Sequence, residues 1–224
     1  MRNIFIELDL QCDKFEHYFP LYEKWFGKFK NKAPKILEIG VQYGGSAEMW
    51  RKYFGTGTEI FGIDINPLCN EKDYLRVITG DQGSQKFWMD FKENFPINFD
   101  IIIDDGSHDN PHQITTLIET YNLLHDGGIY WCEDTHTSYY NNVRVSDGGY
   151  LNKKSFIEYT KNLIDVIHSN HTHYAIGVGQ TEGPHVQKEL VELYEKIQGV
   201  HYYDSVVVIE KGPRLEFKRI INKV

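Results

Sequence analysis

The stretch that decides the fold is KILEIGVQYGGS, Lys35–Ser46. Lys35–Ile39 is short, largely apolar and β-branched, which reads as a strand. Gly40 and Gly44 allow a tight turn and close backbone approach, and helical periodicity over Gly45–Tyr53 follows at once. The first turn of that helix offers free N–H groups to a ligand. The glycines do not follow the G-x-G-x-x-G spacing of a dinucleotide site: they lie four apart, and an acidic residue, Glu38, precedes the first. A carboxylate there repels phosphate and suits a ligand carrying positive charge. A bland glycine turn has the same spelling, so the stretch has to be read with what surrounds it.

Moving outward, further short apolar runs occur at Glu59–Ile63, Leu75–Ile78, Asp100–Ile103, Gly128–Cys132 and Ser205–Ile209. Each is bounded by turn-forming residues and reads as a strand. Helical stretches at Gln85–Asn94 and Pro111–Leu124 separate them, and this alternation predicts parallel strands. Val200–Tyr203 lies too close to Ser205–Ile209 for a helical crossover, so these two runs predict an antiparallel hairpin at the sheet edge. The fold class is therefore α/β: a Rossmann-like, doubly wound, mostly parallel seven-stranded sheet with an antiparallel terminal hairpin strand and helices on both faces. Residues 1–224 read as one domain. Residues 1–33 form a helical appendage, and residues 135–199 form a helix plus a substrate-facing insertion, with Lys153–His168 and Pro184–Gln198 helical and Tyr139–Leu151 a loop. The aromatics of Phe15–Phe29 have helical spacing. They suit a helix packed on the core or on a second copy in a homo-oligomer, and covering the active site is the sharper alternative.

The 224 residues carry 24 Lys+Arg against 32 Asp+Glu, a formal net charge of -8. Nucleic acids and anionic membranes are bound through clustered Lys and Arg, so neither is the expected partner and a small molecule is. No apolar run is long enough to span a bilayer, and Cys12, Cys69 and Cys132 make neither a disulfide framework nor a structural zinc set. A reducing cytoplasm is the expected compartment. Ten histidines stand out, and His171-x-His173 reads as a solvated loop because no cysteine lies near it.

The chemistry is spelled at the strand ends. Asp64 closes the second strand, where a carboxylate can accept from both hydroxyls of a ribose, and Asp81-Gln82 follows the third, within reach of an adenine edge. Singly, each aspartate is also what a turn selects for local hydrogen bonding. The fourth strand runs into Asp104-Asp105-Gly106-Ser107-His108 and the fifth into Glu133-Asp134-Thr135-His136. Ligands of open α/β sheets sit beyond the carboxyl ends of the strands, so all of these face one crevice. Four converging carboxylates raise one another's pKa values unless a cation sits among them, and oxygen donors with vacant positions favour Mg²⁺, with Mn²⁺ or Ca²⁺ as alternatives. His108 also suits a plain helix start at Ser107–Pro111. His112, Gln113, His136 and Tyr139 are candidates for supporting positions.

Glu38-x-Gly40-x-x-x-Gly44 with Asp64 and Asp81 resembles the cofactor motifs of class I S-adenosylmethionine-dependent methyltransferases, over Lys35–Asp134 and more loosely the terminal hairpin. The resemblance implies S-adenosylmethionine contacts at Glu38, Gly40, Gly44, Ser46, Asp64, Asp81, Gln82 and Asp104. DDGSH (104–108) with EDTHTSYY (133–140) is similar to the metal-dependent O-methyltransferases that act on sugar hydroxyls of macrolide antibiotics. That similarity implies Asp105, Glu133 and Asp134 as Mg²⁺ ligands, Asp104 being the alternative to Asp105, and His108 as general base. The expected activity is S-adenosylmethionine- and Mg²⁺-dependent methylation of a hydroxyl on a sugar or polyol-bearing small molecule. Its rivals are a metal-dependent hydrolase or hydroxylase and a non-catalytic S-adenosylmethionine-binding protein.

Overall fold

The computed structural model describes residues 1–141, 145–169, 188–213 and 220–222. Seven strands form one sheet: β1 (Lys35–Ile39), β2 (Glu59–Asp64), β3 (Leu75–Thr79), β4 (Phe99–Asp104), β5 (Leu124–Cys132), β6 (Ile197–Tyr203) and β7 (Val206–Lys211). Their order is β3-β2-β1-β4-β5-β7-β6. β1 to β5 run parallel, while β7 is antiparallel to β5 and β6 antiparallel to β7. Parallel strands require crossovers, and helices α3 (Gly45–Phe54), α4 (Gln85–Asn94) and α5 (Asn110–Thr120) supply three of them. The two-residue link Asp204–Ser205 permits only a hairpin.

Side chains alternate across the strands, so each central strand feeds two cores. Leu37, Ile102 and Tyr130 pack with Trp88 and Phe91 of α4, Leu117 of α5 and Phe156 and Leu163 of α6 (Phe156–His168). Their neighbours Ile36, Ile101, Ile103 and Trp131 pack on the opposite face with Trp50 and Phe54 of α3. The pairing of Ile36 with Ile101 and Leu37 with Ile102 holds both layers in step.

The segment before β1 carries α1 (Arg2–Ile6) and α2 (Tyr18–Phe26). α2 buries Tyr18, Phe19, Tyr22, Trp25 and Phe26 on the α3 side of the sheet, with ring centroids 5.0 Å apart for Tyr22 and Trp131 and 5.6 Å apart for Phe26 and Trp50. Its apolar stripe is thus spent on this chain's own core rather than on a second copy, and its hydroxyls also reach the crevice, as shown below.

The larger departures from the expected boundaries lie around β5 and before β6. β5 starts at Leu124 rather than Gly128, because the helical stretch before it ends as α5 at Thr120 and a 3₁₀ turn at Tyr121–Leu123. The helix expected over Pro184–Gln198 is α7, Lys188–Leu193, its first residues lying outside the described ones. It gives way to β6 at Ile197, where pairing with Lys211 of β7 overrides helical periodicity. His171, His173 and His185 also lie outside the described residues.

Candidate functional site

The ends of β1, β2, β4 and β5 open on a cavity of about 580 Å³, and a smaller one of about 170 Å³ adjoins it towards β3. Gly40, Asp64 and Gly106 line both. Gly40 is required here: its φ is +91°, and a Cβ would stand 1.9 Å from the Asp105 carbonyl oxygen, so only glycine lets the β1 and β4 loops meet. Gly44, at φ +81°, caps α3 in the left-handed region, and Ser46 opens that helix at the cavity wall.

The predicted cofactor residues divide by what they touch. Asp64 borders both cavities, yet its Oδ2 accepts the Gln42 amide at 2.9 Å and its Oδ1 the Asn66 amide at 2.8 Å, so it also builds the turn beside them. Asp81 and Gln82 border the smaller cavity, with Asp81 accepting from the Gly83 amide. Gln82 ties the β3 loop to the β4 loop: Nε2 donates to Asp104 and Thr116 at 3.0 Å each, and Oε1 accepts the Ser107 amide at 2.7 Å. His112 lines this cavity too, its Nδ1 3.0 Å from Ser107 Oγ.

Glu38 and Asp104, expected at the cofactor, line neither cavity. Both are buried beneath the floor. Glu38 accepts the Trp50 indole N–H at 2.9 Å, its other oxygen has no partner among the described residues, and burial pushes its carboxyl up to about 7. Asp104 accepts from Gln82 and from the Tyr130 hydroxyl at 3.2 Å, and burial raises it to about 6. Strand alternation aims them inward, Glu38 to Trp50 of α3 and Asp104 to Gln82 of the β3 loop.

Asp105, His108 and Asp134 come together at the other end of the large cavity. Each offers one ligand atom, and these atoms lie within 4.8 Å of one another, the one such group among the described residues. His108 Nε2 is 3.4 Å from Asp134 Oδ2, while its Nδ1 is buried without a partner among the described residues. Burial lowers the His108 pKa, with Asp134 opposing, so the neutral ring is favoured. Both residues sit in the left-handed region, at φ 56° and 54°, a conformation costly for non-glycine residues that recurs where side chains are held for function. The two carboxylates offer oxygen donors that suit Mg²⁺ or Mn²⁺, with the His108 ring beside them.

Glu133, expected as a ligand, borders the cavity with both oxygens engaged. Oε1 accepts from the Tyr22 hydroxyl at 2.5 Å and the Trp131 indole at 2.9 Å, and Oε2 accepts from the Lys14 ammonium at 2.9 Å. Lys14 also donates to Asp105, and Tyr18 donates to Asp134 Oδ1 at 2.7 Å. His136 hydrogen-bonds Ser205 in the β6–β7 turn, and Gln113 donates to the Glu133 carbonyl at 3.2 Å, so both support the site from behind. Tyr139 stays exposed outside it.

Lys14, Tyr18 and Tyr22 were not legible as site residues. A lone lysine in a loop carries no pattern. The Tyr18–Tyr22 spacing of four places both hydroxyls on one face of α2, and the alternative that Phe15–Phe29 covers the active site points to that face without naming the hydroxyls.

The strand order, the glycine turn after β1 and the carboxylates beyond β2 to β5 are arranged as in class I S-adenosylmethionine-dependent methyltransferases. No protein-family model matches it. Within the class it is similar to enzymes of antibiotic glycoside assembly. It is 31% identical over 207 residues to the mycinamicin VI 2''-O-methyltransferase of Micromonospora griseorubida, covering 88% of this chain and 49% of that protein. It is equally 31% identical, over 209 residues, to the 8-demethyl-8-(2-methoxy-alpha-L-rhamnosyl)-tetracenomycin-C 3'-O-methyltransferase of Streptomyces olivaceus, covering 89% and 50%. Its structure matches that of MycE, a methyltransferase of the mycinamycin biosynthetic pathway solved in complex with Mg and SAH, at a TM-score of 0.73 and 29% identity over 89% of this chain and 51% of that one. The chain spans about half the length of the relatives it matches.

Proposed function

We propose that the protein is an O-methyltransferase that uses S-adenosylmethionine and a divalent cation, Mg²⁺ first and Mn²⁺ as a substitute, to methylate a hydroxyl of a sugar or polyol-bearing small molecule. The observation that carries the reading is the Asp105, His108 and Asp134 group sharing one cavity with the Gly40 turn. The cofactor lies along that turn, with Gly40, Ser46 and Asp64 at the large cavity and Asp81 and Gln82 around the smaller one, which Ile39, Ile63 and Ile65 make apolar enough for a heteroaromatic base. Together with the adjoining appendage, residues 1–224 act as one catalytic unit. Three unpaired cysteines fit a cytoplasmic enzyme.

When bound, the cofactor supplies an electrophilic methyl and the metal lowers the pKa of a hydroxyl. The chain's own residues do the rest. Asp105 and Asp134 hold the cation, His108 accepts the hydroxyl proton, and the glycine turn fixes the methyl donor so that acceptor and methyl meet in line, a positioning effect worth up to roughly 7–11 kcal/mol in the best intramolecular cases. Burial favours the neutral form of His108, the state a general base needs.

Calorimetry with S-adenosylmethionine, with and without Mg²⁺, tests the reading. Binding is expected in both series, and a methylated product is expected with a vicinal-diol glycoside only when the metal is present. No cofactor binding at millimolar concentration would sink the proposal, and metal-free turnover would remove the cation from it.

A further inference from the structure

Lys14 stands where the carboxylates most need a cation. Its side chain is 2% exposed, and its ammonium contacts Asp105 Oδ2 and Glu133 Oε2. Two carboxylates on one ammonium form a buried ion-pair group. Asp105 belongs at once to this ion pair and to the group with His108 and Asp134. An ammonium held 2% exposed and a divalent ion sharing one carboxylate repel each other strongly. Release of Lys14 would also free Glu133 Oε2, the oxygen missing from that group.

Lys14 is itself part of the cavity wall. It sits in the segment 11–15, whose residues Gln11, Cys12 and Phe15 form one wall of the large cavity. That wall is pinned to α3 at two places. Glu48 accepts the backbone amides of Asp9 and Leu10 at 3.2 and 3.1 Å, and the Gln11 carbonyl rests against Gly45 so closely that a Cβ there would be 2.2 Å away. A movement that takes the ammonium out of the acidic group therefore pulls on the wall.

We propose that Lys14 is a built-in counter-ion which a divalent cation displaces, so that loading the metal loosens segment 9–15 and opens the cavity wall. The inference rests on the metal-dependent reading given above. Before the ion arrives, Lys14 keeps Asp105 and Glu133 from repelling each other. Afterwards the ion takes over both carboxylates, and the wall is free to admit or release small molecules. Affinity for the ion is lowered by what it costs to expel Lys14, which is a coupling between two positions in the ordinary sense.

Two measurements on the intact chain test this. Mn²⁺ binding, followed by the electron paramagnetic resonance signal of the free ion, is compared in wild type and Lys14→Met, and hydrogen exchange is followed in the peptide covering residues 9–15. Lys14→Met is expected to bind Mn²⁺ about tenfold or more tightly, and wild type is expected to exchange faster in that peptide when Mn²⁺ is added, against the usual protection by a ligand. Equal or weaker Mn²⁺ affinity in the folded variant, or slower exchange in wild type, overturns the proposal while leaving the metal site standing. Absence of Mn²⁺ binding by both proteins overturns the metal reading and this one together. If Lys14→Met does not fold, the wild-type exchange measurement decides alone.

Discussion

His108 and Glu38 show how burial sets the work of a single side chain. His108 keeps 31% of its side chain exposed at the cavity and points Nε2 at Asp134. His108→Ala is expected to lower kcat by roughly 10²–10⁴ with S-adenosylmethionine affinity little changed. A parallel loss of Mn²⁺ affinity would assign the ring to the metal instead. Glu38 is fully buried, and its carboxyl titrates near 7 instead of near 4.5. The folded value lies above the unfolded one, so the native protein holds an extra proton between those limits and stability falls as pH rises through the window. Glu38→Gln, which keeps an acceptor for the Trp50 indole, should raise the melting temperature at pH 8, by about 1–3 kcal/mol of stability, and change it little at pH 5. An equal shift at both pH values would show that Glu38 is not the titrating group. From sequence, Glu38 was legible as an acidic residue before a glycine turn. That its side chain faces the floor and not the ligand depends on which side of β1 turns inward, which only the packing of α3 decides.

At the scale of the element, α2 has two jobs. Its rings fill the core beside Trp50 and Trp131, and its hydroxyls donate to Glu133 and Asp134. Tyr22→Phe keeps the ring and removes one donor to a buried carboxylate. The expected cost is about 1–3 kcal/mol of stability, seen as a lower denaturation midpoint with cofactor affinity nearly unchanged. An unaltered midpoint would mean the hydroxyl contributes nothing. The strands were legible because each is a short β-branched run between turn residues, and β1, β2 and β4 match their expected cores within a residue or two. α2 was legible as an amphipathic helix for the same reason: its period survives in any tertiary context. Lys14 was not, because the worth of a loop lysine is set by the two carboxylates that the fold delivers to it from 91 and 119 positions away. The extent of β5 is not legible because Leu124–Gly127, LHDG, has turn composition and joins the strand through the pairing of Leu124 with Phe99 of β4.

Across the whole molecule, the formal charge of -8 is concentrated in part where strands end. Asp64, Asp105, Glu133 and Asp134 meet in the cavity, with Glu38 and Asp104 under its floor, and a buried lysine offsets some of their repulsion. The sheet order places β1 and β4 side by side at the centre, so the glycine turn and the first acidic pair are neighbours by construction. The β6–β7 turn then completes this arrangement through Ser205. Tyr18 meets Ser205 across 187 positions and Asp134 across 116. Contacts so far apart close late, since loop entropy opposes them until a formed sheet rewards them. During synthesis, which delivers the earlier residues first, β1 to β4 can pair while the last hairpin is still in the ribosomal tunnel. The carboxylates at the ends of β4 and β5 can then meet before Ser205 arrives to hold Tyr18 and His136 beside them.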